Sequence, residues 1–279
     1  MLISMGGIII IMFIGMNAQL DEHLINYAYF YETGLELFKD QKRLVHKQLC
    51  TFISEDNLID ASALEEDWFP SIDANVFISH SHKDQNFAVA FTGWLYKIFG
   101  ITSFIDSCVW GYADDMLKMI DEEYCVSKRK SDGSVESYSY KKRNQSTSHV
   151  HMILNTALHK MIDKTECLIF LNTPNSLMID DVINGTATAS PWIYSELMFS
   201  RMCCKRKLSE YRQSLQHGAI FEHTDLKVKY EVKIDHLVDI DNHNLIEMWK
   251  YCSQKDPITA LDEFYENLGI ISKRRTLNG

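Results

Sequence analysis

The sequence contains neither a Gly-x-Gly-x-x-Gly run nor a Gly-x-x-x-x-Gly-Lys-Ser/Thr loop. The common glycine-rich cradles for nucleotide phosphates are therefore missing, which argues against a redox dehydrogenase and against an NTPase. Its seven cysteines are odd in number and include no Cys-x-x-Cys pair, so they read as reduced thiols of a cytosolic protein without a zinc site. Positive charge is also short: 28 Lys and Arg stand against 38 Asp and Glu, for a net charge of −10. A general nucleic-acid binder needs a basic footprint to displace counterions, so no nucleic-acid partner is expected. A small anionic substrate stays admissible, because a local pocket can oppose the global field. Ser190 and Ser195 have no nucleophile-elbow surroundings. His149, His151 and His159 have no carboxylate or thiol to complete a metal site, and Asp239 with Asp241 reads as a turn rather than a cation loop.

Long apolar runs are missing as well. Residues 1–16 carry no charge and include an isoleucine-rich stretch at 8–14, but a spanning helix needs roughly 20 apolar residues and a signal peptide needs a basic start. This segment reads as a mis-assigned start, with Met12 or Met16 as the true one, or as an apolar arm packed on the fold; a membrane anchor ranks second. What is present is a chain of 279 residues with 46% hydrophobic content, enough for one large domain or one domain plus an extension.

Two stretches carry the functional signal. The first, Asn75-Val-Phe-Ile-Ser-His-Ser-His-Lys-Asp84, breaks from a short apolar run into a polar loop, as a buried parallel strand does where an open α/β sheet places its ligands. The second, Ser190-Pro-Trp-Ile-Tyr-Ser-Glu-Leu197, opens a helix: Ser190 suits the cap and Pro191 the first turn. Trp192 and Glu196, four residues apart, then share one face near the helix's positive end.

Around these, residues 17–53 have apolar positions at helical spacing (Leu20, Leu24, Tyr27, Tyr31, Leu35, Phe38) and residues 60–73 read as a linker. The elements then alternate as a doubly wound sheet requires. After the first strand come a helix over 85–99 closed by Gly100, a strand over 101–106, a loop at 107–112 and a helix over 113–124. Residues 125–147 form a basic insertion with six Lys or Arg against two acidic residues and an Asp132-Gly133 turn signal. A helix over 148–164, a strand over 166–171, a polar turn at 172–176, a loop over 177–189 and the helix from Ser190 follow. Beyond it, 227–234 alternates like a strand, and 243–251 and 258–268 read as helices.

Together, the two motifs in this order resemble the Toll/interleukin-1 receptor (TIR) domain over about residues 74–204. The resemblance is to bacterial TIR proteins of Thoeris-type anti-phage defence. It implies a flavodoxin-like, mostly parallel α/β domain over 74–279, preceded by the apolar segment 1–16 and a helical extension with linker over 17–73. The chemistry it implies is cleavage of the nicotinamide–ribose bond of NAD+, a substrate rather than a cofactor, yielding an ADP-ribose-derived signal for a separate effector. Such a reaction needs a carboxylate to stabilise an oxocarbenium-like ribose. Glu196 takes the catalytic role, with Trp192, Ser79, His80, Ser81, Asp106 and Ser107 as substrate-binding residues and the 107–112 loop in self-association. Two other readings stay open: a non-catalytic TIR-type assembly module, and a relative of the nucleoside deoxyribosyltransferases. Glu196 is otherwise an ordinary surface carboxylate and Trp192 an ordinary core residue.

Overall fold

The computed structural model describes residues 11–20, 27–52, 73–180, 185–203, 206–207, 230–231 and 234–271. Its main sheet has five strands, all pairing in parallel: β1 (Ile14–Gln19), β2 (Val76–Ser79), β3 (Ser103–Ile105), β4 (Cys167–Leu171) and β5 (Val238–Asp241). Across the sheet they lie in the order β5-β1-β4-β2-β3. Seven helices are described: α1 (Tyr27–Phe52), α2 (Gln85–Phe99), α3 (Ser107–Ile120), α4 (Tyr140–Lys164), α5 (Pro191–Met202), α6 (Asn242–Cys252) and α7 (Pro257–Asn267). The protein is thus α/β with a parallel sheet, compatible with a flavodoxin-like arrangement.

Central strands of such a sheet are covered on both faces, and these are apolar up to Ser79 at the end of β2: Val76, Phe77 and Ile78 of β2 and Cys167, Leu168, Phe170 and Leu171 of β4 are fully buried. The connections β1→β2→β3 step one way across the sheet, and β3→β4→β5 step back. Helices α1 and α2, from the first set, pack on each other, as do α4 and α5 from the second. Right-handed crossovers put the two pairs on opposite faces. The reversal falls between β2 and β4, the switch point at which open sheets leave a crevice beyond their carboxyl ends.

The N-terminal region corrects the expectation most. Asn17 to Gln19 belong to β1, not to a helix, and β1 lies between β4 and β5 in the middle of the sheet. Counted from Val76, the strands run second, first, third, inserted, fourth; the place a flavodoxin-like sheet gives its fourth strand is filled from the N-terminal segment. No boundary at residue 74 therefore divides the sheet. At Ile14 to Met16 the apolar segment expected over 1–16 is a buried strand; residues 1–10, and the linker expected over 60–73 except Asp73, lie outside the described residues. Among the described residues no helix is long and apolar enough to cross a membrane.

Helix α1 is likewise part of the core. It crosses α2 at two glycines: a Cβ on Gly34 would sit 1.8 Å from the Val89 carbonyl oxygen, and one on Gly93 2.0 Å from that of Phe30. Any side chain here forces the two backbones apart, so only glycine admits this approach. Further along, the Gln41 amide donates to the Ser103 carbonyl at 2.6 Å, supplying a donor to the edge strand β3.

Other departures are local. Residues 107–112, expected as a loop, are the first turns of α3. The basic insertion is a smaller unit, an exposed hairpin of Val126–Arg129 with Val135–Tyr138 turned through Gly133 at φ 85°. Helix α4 begins at Tyr140, so Lys141, Lys142 and Arg143 open it; Arg143 is held by Asp121 at 2.7 Å. The expected 177–189 loop contains short antiparallel strands, Met178–Asp180 and Gly185–Thr188, the latter also pairing with Tyr230–Glu231. Of the strand expected over 227–234, Tyr230–Glu231 is strand and Ile234 is not; the other positions lie outside the described residues. The αL cap at Gly100 (φ 67°) and the helices α6 and α7 match expectation.

Candidate active site at the carboxyl ends of β2 and β3

In β2, alternation puts Phe77 and Ser79 on one face; in β3 it does the same for Phe104, with Asp106 two residues on. The two phenylalanines pair in register and their rings lie 5.7 Å apart. One layer beyond them the same face turns polar, with Ser79 and Asp106 as its groups. Helix α5 brings Glu196 onto this layer: the Ser79 hydroxyl donates to Glu196 Oε2 at 2.5 Å. The local signals work as expected, since the Ser190 hydroxyl accepts from the Ile193 amide at 3.3 Å and Pro191 occupies the first turn.

The cluster is sealed. Ser79, His80 and Asp106 are 0% exposed and Glu196 1%. His80 Nδ1 lies 2.6 Å from Asp106 Oδ1, and the His80 amide donates to Asp106 Oδ2 at 3.4 Å. Burial lowers the His80 pKa to about 3, outweighing the favourable field of Asp84, so the ring is neutral. Burial pushes the Asp106 carboxyl well above the usual carboxylate range, against the backbone N–H groups of His80 and Ser107. Glu196 is raised too, first by burial and then by the negative charge of Asp106, while Ser79 opposes the shift. Two acids so close cannot both ionise cheaply, and they titrate as a pair.

Ser107 Oγ is completely buried with no hydrogen-bond partner among the described residues, and the Glu196 and Asp106 side chains hydrogen-bond each other. A buried carboxyl pair that shares a proton is costly to ionise, and such pairs recur at functional sites.

Of the residues singled out in the sequence, Ser79, His80, Asp106 and Glu196 come together here. Ser81 caps the single 3₁₀ turn His82–Asp84 through the Lys83 amide, a loop-shaping role. Trp192 is not joined to the carboxyl pair by a described contact; it is half-buried, with its ring 5.6 Å from that of His151 on α4. Next to Glu196, Ser195 donates to Asn155 at 2.7 Å and lies 2.9 Å from His159 Nε2, which ties α5 to α4.

Two polar networks at the same edge of the sheet escaped sequence reasoning. Asp84 accepts from the Thr173 hydroxyl at 2.5 Å and the Asn175 amide at 2.7 Å, clasping the loops after β2 and β4 across the switch point. Asp84 ends the first motif and Thr173 and Asn175 lie in the polar turn, so the partners were visible but not their pairing. Further along, the Asn17 amide donates to Asp239 Oδ1 at 2.7 Å and accepts from Asn172 at 2.9 Å. Nothing pointed to Asn17 while its segment read as helix.

Comparison with protein-family profiles, with curated proteins and with solved structures finds no match.

Proposed function

We propose that the chain is a TIR-like enzyme that cleaves the nicotinamide–ribose bond of NAD+, with Glu196 as the catalytic carboxylate. The observation that carries this reading is the Glu196 carboxyl itself. It is delivered by a helix to the carboxyl end of a parallel strand, anchored through one oxygen by Ser79, and hydrogen-bonded to the buried Asp106 carboxyl.

In the reaction the C1′–N bond of the ribosyl pyridinium breaks and its electron pair neutralises the ring nitrogen, releasing nicotinamide. Positive charge builds on C1′ and its ring oxygen, and an ionised Glu196 lowers that charge's energy most in a dry site. A water molecule, or a nucleophile of the remaining ADP-ribose, then bonds to C1′ and gives up a proton; the first yields ADP-ribose and the second a cyclic product. The raised pKa of Glu196 fits this use. A cationic pyridinium beside a buried acid favours its ionised form, so the substrate itself supplies the opposing charge. Asp106, kept neutral by burial, donates its proton to the ionised Glu196 in a hydrogen bond, and neutral His80 lies against Asp106 at 2.6 Å. With Glu196 1% exposed, a nucleotide reaches it only after the loops at this edge part, and the Asp84 clasp marks where they do. On this reading a diffusible ADP-ribose-derived product serves as a signal to a separate effector in anti-phage defence, and self-association is a natural means of opening the site.

The same burial favours a second reading, a non-catalytic TIR-type assembly module in which Glu196 and Asp106 are internal packing groups. The experiment that separates the two is NAD+ turnover by the full chain at high protein concentration, with products resolved by mass, beside Glu196→Gln. The enzyme reading expects nicotinamide release that falls by about 10²–10³-fold in the variant. A wild-type chain that releases none, even when co-expressed under phage challenge, supports the assembly module.

A further inference from the structure

The polar layer at Ser79 does not stop there. Ser79 pairs in register with Phe170 of β4, Phe170 with Asn17 of β1, and Asn17 with Asp239 of β5. Registered residues of parallel strands project from the same face, so Asp239, Asn17, Phe170 and Ser79 form one row on the face that Glu196 meets, with Asp106 just past β3 continuing it. At a strand spacing of about 4.8 Å, Asn17 lies roughly 10 Å and Asp239 roughly 14 Å from Ser79.

We propose that the Asn17–Asp239 end of this row is a second sugar subsite, which binds the vicinal hydroxyls of the adenosine ribose while the nicotinamide ribose lies at Glu196. The inference rests on reading the site as one for NAD+. Asn17 is 2% exposed, and its amide is fully committed, donating to Asp239 and accepting from Asn172. Asp239 itself is exposed. Its Oδ1 is fixed by Asn17, and its second oxygen is the acceptor a diol requires. Asp239 is the second residue of β5, but register sets it level with Ser79, the last residue of β2, and the carboxyl ends of parallel strands border the crevice in which open sheets bind nucleotides, with a carboxylate on the ribose hydroxyls. Fully buried Phe170 separates the two polar ends of the row, so the ends suit two sugars joined by a bridge better than one compact ligand. The specificity for a dinucleotide then comes from strands contributed by the two ends of the chain.

The test is calorimetric binding of ADP-ribose and of ribose 5-phosphate to the full chain, to Asp239→Ala and to Asp239→Asn, with thermal melts to verify folding. The expected result is an ADP-ribose affinity about tenfold weaker in Asp239→Ala, a smaller loss in Asp239→Asn, and unchanged ribose 5-phosphate binding. An ADP-ribose affinity unaltered by Asp239→Ala overturns the subsite, as does a wild-type chain that binds no ADP-ribose. Binding that depends on Asp239 in a chain that releases no nicotinamide supports the subsite and removes the proposed reaction.

Discussion

The two ends of the row through Ser79, Phe170, Asn17 and Asp239 are built on the same register but obey different rules. At the β2–β3 end, Ser79, Asp106 and Glu196 are sealed from water and both acids are pushed towards their neutral forms. At the β5 end, Asp239 keeps its carboxyl in solvent and a single buried amide aims it. Burial makes a carboxyl responsive to the charge of what arrives next to it, and exposure makes it a steady hydrogen-bond acceptor. The contrast suits a chemical step at one end and recognition at the other.

The largest expected effect breaks the connection between the two ends. Helix α1 joins β1 to β2 and crosses α2 at Gly34 and Gly93, so Gly93→Val is expected to destabilise the fold by about 3 kcal/mol or more, read as a lower urea midpoint. A midpoint unchanged from wild type would mean that α1 does not hold β1 in the sheet.

The next tests concern the sealed end. Asp106 raises Glu196, so Asp106→Asn is expected to move the acid limb of nicotinamide release to lower pH; a limb that stays in place removes the coupling. Stability carries its own sign. A carboxyl whose folded pKa lies above its unfolded value costs nothing below the unfolded pKa and costs progressively more as pH rises through the folded one. Glu196→Gln, which mimics the protonated acid and keeps an acceptor for Ser79, should therefore raise the urea midpoint at pH 8, by on the order of 1 kcal/mol, and leave it nearly unchanged at pH 4.5. His80 works the other way: its lowered pKa makes stability rise between about pH 3 and 6.5. A Glu196→Gln chain that is less stable at pH 8 would mark the carboxylate as a packing group. The smallest effect is expected away from the row, in the hairpin. Lys128 and Glu136 pair at 3.0 Å with both side chains well exposed, so Lys128→Ala should change stability by no more than about 0.5 kcal/mol in the same assay.

The same two ends differ in how far they could be read in the sequence. At the sealed end the signals are local: the apolar run before Ser79, the Ser190-Pro191 helix start, the periodicity of α2 with its Gly100 cap. Each is a short-range constraint, and together they single out Ser79, His80, Asp106 and Glu196, which the structure brings into one cluster. At the open end, β1 is a six-residue strand beside an isoleucine-rich stretch, and β5 is a four-residue strand. β1 carries no turn or cap signal, the Asp241 cap at the end of β5 marks only the start of α6, and the pairing of the two strands joins residues 222 apart in the chain. Long-range register leaves no local trace, so from sequence Asn17 reads as helix and Asp239 as turn. The loop expected at 107–112 failed for a related reason: Gly111 reads as a break, but a helix already begun at Ser107 and packed on the fold absorbs one glycine.

The central claim, that Ser79 and Glu196 act as one unit in breaking the nicotinamide–ribose bond, is tested most directly by a double-substitution cycle on nicotinamide release by the full chain. The account predicts that Ser79→Ala alone loses about tenfold and that Ser79→Ala with Glu196→Gln loses no more than Glu196→Gln alone. Losses that multiply independently, or a Glu196→Gln chain that releases nicotinamide at the wild-type rate, would contradict it.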